Sequence, residues 1–182
     1  DELLPAERVL AIDSGNFMGY PSAYVRVPDE AGFVFTQAFQ AIGLGLATAL
    51  GAATAQPHRL PVLGTGDGGF LMGIAELETI VRMRIPLVVV VYNDAAYGAE
   101  VHHFAPEGES SSVDISTVVF PDTDIAAIGR GFGAEGVTVR RVEDLEAVRR
   151  WLESDPRIPL VIDAKIASDG GSWWLQEAFA GH

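Results

Sequence analysis

Asp67 sits among glycines in Gly64-Thr65-Gly66-Asp67-Gly68-Gly69, and Asn93 follows it by 26 residues at the head of Asn93-Asp94-Ala95-Ala96-Tyr97-Gly98. A carboxylate, an amide oxygen and a peptide carbonyl form a set of hard oxygen ligands. Mg²⁺ takes such a set in octahedral geometry, with phosphate oxygens and water filling the remaining positions. The glycines beside Asp67 let backbone N–H groups come close to a phosphate, and the helix that follows adds the partial positive charge of its N-terminus. The chemistry these residues suggest is metal-assisted retention of an anionic, diphosphate-bearing ligand.

Such a site needs both side chains at one edge of the fold. Val9-Leu10-Ala11-Ile12 reads as a buried strand ending in Asp13-Ser14-Gly15-Asn16. Residues 17–35, with Pro21 and Pro28, read as an irregular loop. Gln37 to Ala55 reads as a helix with Phe39, Ile42, Leu46, Leu50 and Ala53 on one face, weakened by Gly43, Gly45 and Gly51. Leu60-Pro61-Val62-Leu63 is a second strand that runs into the Asp67 loop, and a helix from about Gly73 to Met83 follows.

Leu87 to Tyr92 is a continuous β-branched run of the kind buried on both faces of a parallel sheet. Glu107 to Ser116 reads as a polar loop. Asp122 is placed to cap a helix reaching Phe132. Val137-Thr138-Val139 reads as a strand, Glu143 to Leu152 as a helix, and Leu160 to Ala164 as the last strand. From Ser168 a tail follows with Trp173-Trp174. Alternating strands and helices predict one α/β domain over residues 1–182, a doubly wound, mostly parallel sheet flanked by helices. Ligands of such sheets bind beyond the carboxyl ends of the strands. Asp67 and Asn93 are separated by one helix and one strand, so both return to that edge.

Formal net charge is −13. Nucleic acid is excluded as a partner, because it requires a basic surface that replaces counterions. The same charge demands a cation or converging N–H groups before any anionic ligand can bind. The 182 residues contain no cysteine, which rules out disulfides, thiolate metal sites and a cysteine nucleophile and permits a cytoplasmic location. No apolar stretch approaches the length of a membrane span. The chain opens on Asp1-Glu2-Leu3-Leu4 and reads as a piece of a longer polypeptide.

Two other readings of the glycine loop stand beside the metal-diphosphate one. It satisfies G-x-G-x-x-G, the dinucleotide fingerprint of a Rossmann-type oxidoreductase, although a carboxylate inside a phosphate loop repels pyrophosphate unless a cation intervenes. It also serves as an ordinary glycine turn from strand to helix. His102 and His103 either line a substrate pocket, where they would relay protons, or form a solvated pair.

Gly66-Asp67-Gly68, a gap of 24 residues and Asn93 resemble the motif of thiamine-diphosphate enzymes. Gly66 to Met72, Glu76-Leu77-Glu78-Thr79 and Asn93 to Gly98 resemble the same segments in acetolactate synthase, benzoylformate decarboxylase and pyruvate decarboxylase, and the likeness extends over roughly residues 9–165. It implies that Asp67 and Asn93 give side-chain oxygens, and Ala95 its carbonyl, to Mg²⁺. Gly66, Gly68, Gly69, Gly15 and Asn16 would meet the diphosphate, and Tyr97 and Gly98 belong to the same cofactor-binding set. Gln40 and Ile42 would cup the aminopyrimidine ring, Ile42 holding the cofactor bent and the Gln40 carbonyl accepting from its amino group. The cofactor itself serves as the electron sink.

The resemblance further implies a half-site. The glutamate that contacts the ring comes in this family from a pyrimidine-binding domain, usually on the other subunit, so the natural protein would be a homodimer or homotetramer. The parent enzyme would decarboxylate or carboligate a 2-oxo acid or aldehyde; a separate diphosphate-binding subunit is the alternative organisation. Ala99 near the position of a catalytic glutamate argues against a simple pyruvate decarboxylase. Asp94 replaces a small or amide residue. Ala95 and Ala96 replace glycines, a change that costs nothing where φ is negative.

Overall fold

The structure is a computed structural model and describes residues 1–36, 41–104, 113–168 and 170–179. Its strands are β1 (Arg8–Ile12), β2 (Phe33–Phe35), β3 (Leu60–Gly66), β4 (Val88–Asn93), β5 (Glu135–Val139) and β6 (Leu160–Lys165). They form a six-stranded sheet in the order β2-β1-β3-β4-β6-β5, and every pairing is parallel. The expected doubly wound α/β architecture is therefore present. The strand order is not the 3-2-1-4-5-6 of the dinucleotide-binding fold.

The helices are α1 (Gly19–Tyr24), α2 (Gly45–Ala55), α3 (Asp67–Met72), α4 (Ala75–Arg82), α5 (Gly98–Phe104), α6 (Ile125–Gly131), α7 (Glu146–Glu153) and α8 (Trp173–Phe179). One face of the sheet packs Ala11, Leu63, Val89, Val91 and Val161 against Leu46 and Ala49 of α2, Phe70 of α3, Leu77 and Ile80 of α4 and Ile125 of α6. The other packs Leu10, Ile12, Val62, Val88, Leu160 and Ile162 against Phe17, Val148 and Trp151. Alternate residues of one strand thus serve opposite cores, which is why β4 reads as unbroken valine. Among the described residues, no helix is long and apolar enough to cross a membrane.

Four local expectations are corrected. The 17–35 stretch contains α1, a 3₁₀ turn over Glu30–Gly32 and β2; Pro21 lies in the first turn of α1, where a missing N–H is harmless. The long helix expected from Gln37 begins only at Gly45, because Gly43 at φ 93° takes a conformation no helix contains. Residues 37–40 lie outside the described residues. The helix expected from Gly73 is two: α3 starts at Asp67 itself, and α4 follows after a break at Gly73 and Ile74. The cap of α6 is Asp124, whose side chain accepts from Ala127 N at 2.8 Å. Asp122 instead pairs with Lys165 Nζ at 2.6 Å. The tail docks through α8: Trp174 meets Tyr20 edge-on with ring centroids 4.7 Å apart.

Candidate functional site

Gly66 pairs with Tyr92 across β3 and β4, so Asp67 and Asn93 leave neighbouring strand ends at one level of the sheet. β1 lies on the other side of β3, and Asp13 follows its last residue. The direction of chain winding reverses between β1 and β3, and ligands of open α/β sheets settle at such a switch point. A small cavity of about 30 Å³, open to solvent, occupies this place. Gly15, Asn16, Ile42, Gly66, Asp67, Gly68, Gly69, Tyr97 and Gly98 line it, together with Asp94 and Ala99. Asn93 and Ala95 do not line it, and Gln40 lies outside the described residues. His102 and His103 face a second cavity with Gln176; the two cavities share Asn16 and Ala99.

The floor is built around buried carboxylates. Asp13 accepts from Ser14 N at 2.9 Å, from Gly43 N at 3.1 Å and from Thr65 Oγ1 at 3.1 Å, which ties the turn carrying Ile42 to the ends of β1 and β3. Burial raises its pKa against these hydrogen bonds. Asp67 is 3% exposed, and its Oδ1 accepts from Gly68 N at 3.0 Å. Burial and the nearby Asp94 push its pKa up to about 6. Burial also raises Asp94, against the opposing pull of His102. Among the described residues, no lysine or arginine acts on either Asp67 or Asp94. A carboxylate taken out of water without a cationic partner is costly, and a divalent cation would relieve that cost. The carboxylates, amide and carbonyls here therefore fit Mg²⁺, a hard cation.

The Asn93 loop is held from both sides. Asn93 Oδ1 accepts from Ala95 N at 3.1 Å, and the Ala95 carbonyl accepts from Phe120 N at 2.7 Å. Tyr97 N donates to Val118 O at 2.9 Å, so residues 118–120 strap the loop from outside. Ala95 has φ 59°, so the condition under which alanine would cost nothing there is not met: the side chain stands in the left-handed region that glycine occupies freely. Ala95→Gly is therefore expected to raise stability by about 1 kcal/mol, measured by urea unfolding. An unchanged or lower midpoint would contradict it.

Asn16 has a structural duty that the sequence did not announce. Its Oδ1 accepts from Ser172 N at 2.8 Å and from Ser172 Oγ at 2.6 Å, which fastens the start of α8 to the cavity rim. Sequence reasoning missed two further groups. Asp163 is a carboxylate inside an apolar strand, and its rarity there was the available signal. Nothing in the sequence pointed to Ser172.

Known proteins resemble this chain over most of its length. Residues 13–164 match the family described as "Thiamine pyrophosphate enzyme, C-terminal TPP binding domain". Sulfoacetaldehyde acetyltransferase of Castellaniella defragrans is 31% identical over 150 residues, which cover 80% of this chain and 24% of that protein. Acetolactate synthase of Bacillus subtilis is 30% identical over 85% of this chain and 26% of its own length. Benzoylformate decarboxylase of Pseudomonas aeruginosa is 35% identical over 69% of this chain and 24% of its own. The chain thus spans about a quarter of the curated relatives it matches. Among solved structures, the thiamine diphosphate-dependent 4-hydroxybenzoylformate decarboxylase of Rhodococcus jostii RHA1 superposes with a TM-score of 0.74 at 24% identity, covering 91% of this chain and 31% of that one. That likeness bears on the fold alone. With the fold, the motif spacing and the relatives in agreement, the chain belongs to the thiamine pyrophosphate enzymes and carries their C-terminal TPP-binding domain.

Proposed function

We propose that this domain binds thiamine diphosphate through Mg²⁺ held by Asp67, Asn93 and the Ala95 carbonyl. Gly15, Asn16, Gly66, Gly68, Gly69, Tyr97 and Gly98 would make the remaining contacts with the diphosphate end. Ile42, beside the glycine loop, and Gln40 would serve the ring end. The observation that carries this reading is the buried Asp67, its pKa raised to about 6 by burial and Asp94 with no lysine or arginine among the described residues acting on it, on the wall of a cavity at the switch point. The cofactor supplies the electron sink for chemistry next to a carbonyl. The chain's own residues bind it, orient it and exclude water.

The parent enzyme on this reading decarboxylates or carboligates a 2-oxo acid or aldehyde in the cytoplasm. It draws the glutamate that completes the site from a pyrimidine-binding domain, in a homodimer or homotetramer. His102 and His103, in the adjoining cavity, stand on the substrate side. Thermal-shift titration tests the binding step, since a ligand that binds only the folded state raises its melting temperature. Thiamine diphosphate with Mg²⁺ is expected to stabilise the chain, and EDTA to abolish the shift. NAD is expected to produce none. A shift with NAD, or one indifferent to EDTA, would refute the proposal.

A further inference from the structure

Asp163, near the end of β6, takes no part in the proposed cation site, yet it is fully buried and bonded to one of its members. Its Oδ1 accepts from Asn93 Nδ2 at 2.8 Å. Its Oδ2 accepts from Ile125 N at 3.2 Å and stands 3.2 Å from Lys165 Nζ. Asn93 Nδ2 also points at the Thr123 carbonyl, 3.4 Å away. Both acceptors thus lie at the nitrogen end of the Asn93 amide. The oxygen end is turned toward the 94–96 loop, where it accepts from Ala95 N.

An amide is planar, with a donor at one end and an acceptor at the other. Fixing the nitrogen therefore fixes where the oxygen points, and only the oxygen can bind a cation. We infer that Asp163 is a positioning residue for the cation site: its carboxylate holds the Asn93 NH₂ group and so presents Asn93 Oδ1 as the ligand. The inference rests on the cation reading proposed above. Lys165 and Ile125 N complete the arrangement. As donors they fix an oxygen of residue 163 on their side and leave its other terminus to face Asn93. Lys165 is itself anchored by Asp122 Oδ1 at 2.6 Å and Thr123 O at 2.9 Å.

This arrangement can be inverted. In Asp163→Asn, Ile125 N and Lys165 retain the new oxygen, so the new NH₂ turns toward Asn93. Asn93 then flips to offer its oxygen inward and its nitrogen to the cation. Adding Asn93→Asp restores the match, because one carboxylate oxygen accepts from the new amide and the other is free for the metal. The probe is Mn²⁺ alone, followed by water-proton relaxation on the 182-residue chain, with melting in EDTA as the control for folding.

Asp163→Asn is expected to weaken Mn²⁺ binding by about tenfold or more, the usual range for a group that orients a ligand. The double variant should regain most of that loss. Folded Asp163→Asn that binds Mn²⁺ as the wild type does would overturn the inference. So would a double variant that recovers its melting temperature but not its Mn²⁺ affinity, since Asp163 would then be structural only. A wild-type chain that takes up no Mn²⁺ would refute the cation reading itself, and the inference with it.

Discussion

Asp67→Asn is expected to abolish Mg²⁺-dependent binding of thiamine diphosphate and at the same time to raise the melting temperature of the metal-free chain above pH 6. Both effects come from one charge. The folded chain holds the Asp67 carboxyl at about 6, against an ordinary 3.8, through burial and the neighbouring Asp94. The folded state therefore keeps a proton that the unfolded state has released. The stability associated with Asp67 is fully present below pH 3.8, falls as pH rises through that window and is gone above about 6. Asparagine keeps the acceptor for Gly68 N and has no charge to bury.

The melting temperature of the variant relative to wild type should accordingly climb between pH 4 and pH 6 and then level off. A site strained in the absence of its ligand is the familiar exchange of stability for function. A variant that is less stable at every pH, or one that still binds the cofactor in a Mg²⁺-dependent way, would contradict the assignment.

Gly68→Ala is expected to destabilise the chain by about 1–3 kcal/mol, the usual cost of forcing a methyl into packed space. A Cβ on residue 68 would fall 2.3 Å from Tyr97 Cε1 and 2.6 Å from Cδ1. The ring cannot easily swing aside. It meets Phe120 edge-on with centroids 4.7 Å apart, and its backbone is strapped by Val118. The glycine next to Asp67 is thus required by the Asn93 loop folding onto it, in addition to any approach of a phosphate. Urea unfolding of Gly68→Ala, and of the same change combined with Tyr97→Ala, separates the causes. Because the clash is with the ring, removing the ring should make the glycine change nearly neutral. A Gly68→Ala chain as stable as its parent would show that the two loops do not meet.

The sequence revealed most where a single physical requirement dominated. The valine run of β4 must be buried on both faces, and Gly66 and Asn93 mark where two strands end; from these the parallel sheet and the shared edge of Asp67 and Asn93 follow directly. It revealed less where the outcome depended on distant partners. The periodicity of residues 37–55 favours a helix throughout, but Asp13, thirty residues earlier, accepts from Gly43 N, and α2 begins only after that turn. Asp122 and Asp124 are equally good caps by type. Lys165, far along the chain, takes the first and leaves α6 to the second. The φ of 59° at Ala95 belongs to a loop held both by Asn93 Oδ1 two residues earlier and by residues 118–120 from farther along the chain. The link between Asp163 and Asn93 spans seventy residues, and no local pattern encodes it.

Anomalous diffraction from crystals soaked in Mn²⁺ and thiamine diphosphate would show whether a cation binds between the ends of β3 and β4. A manganese peak is expected about 2.1 Å from a carboxylate oxygen of Asp67, Asn93 Oδ1 and the Ala95 carbonyl, with the diphosphate completing its shell. A bound diphosphate with no metal beside it, or a metal that leaves Asp67 and Asn93 uncoordinated, would contradict it.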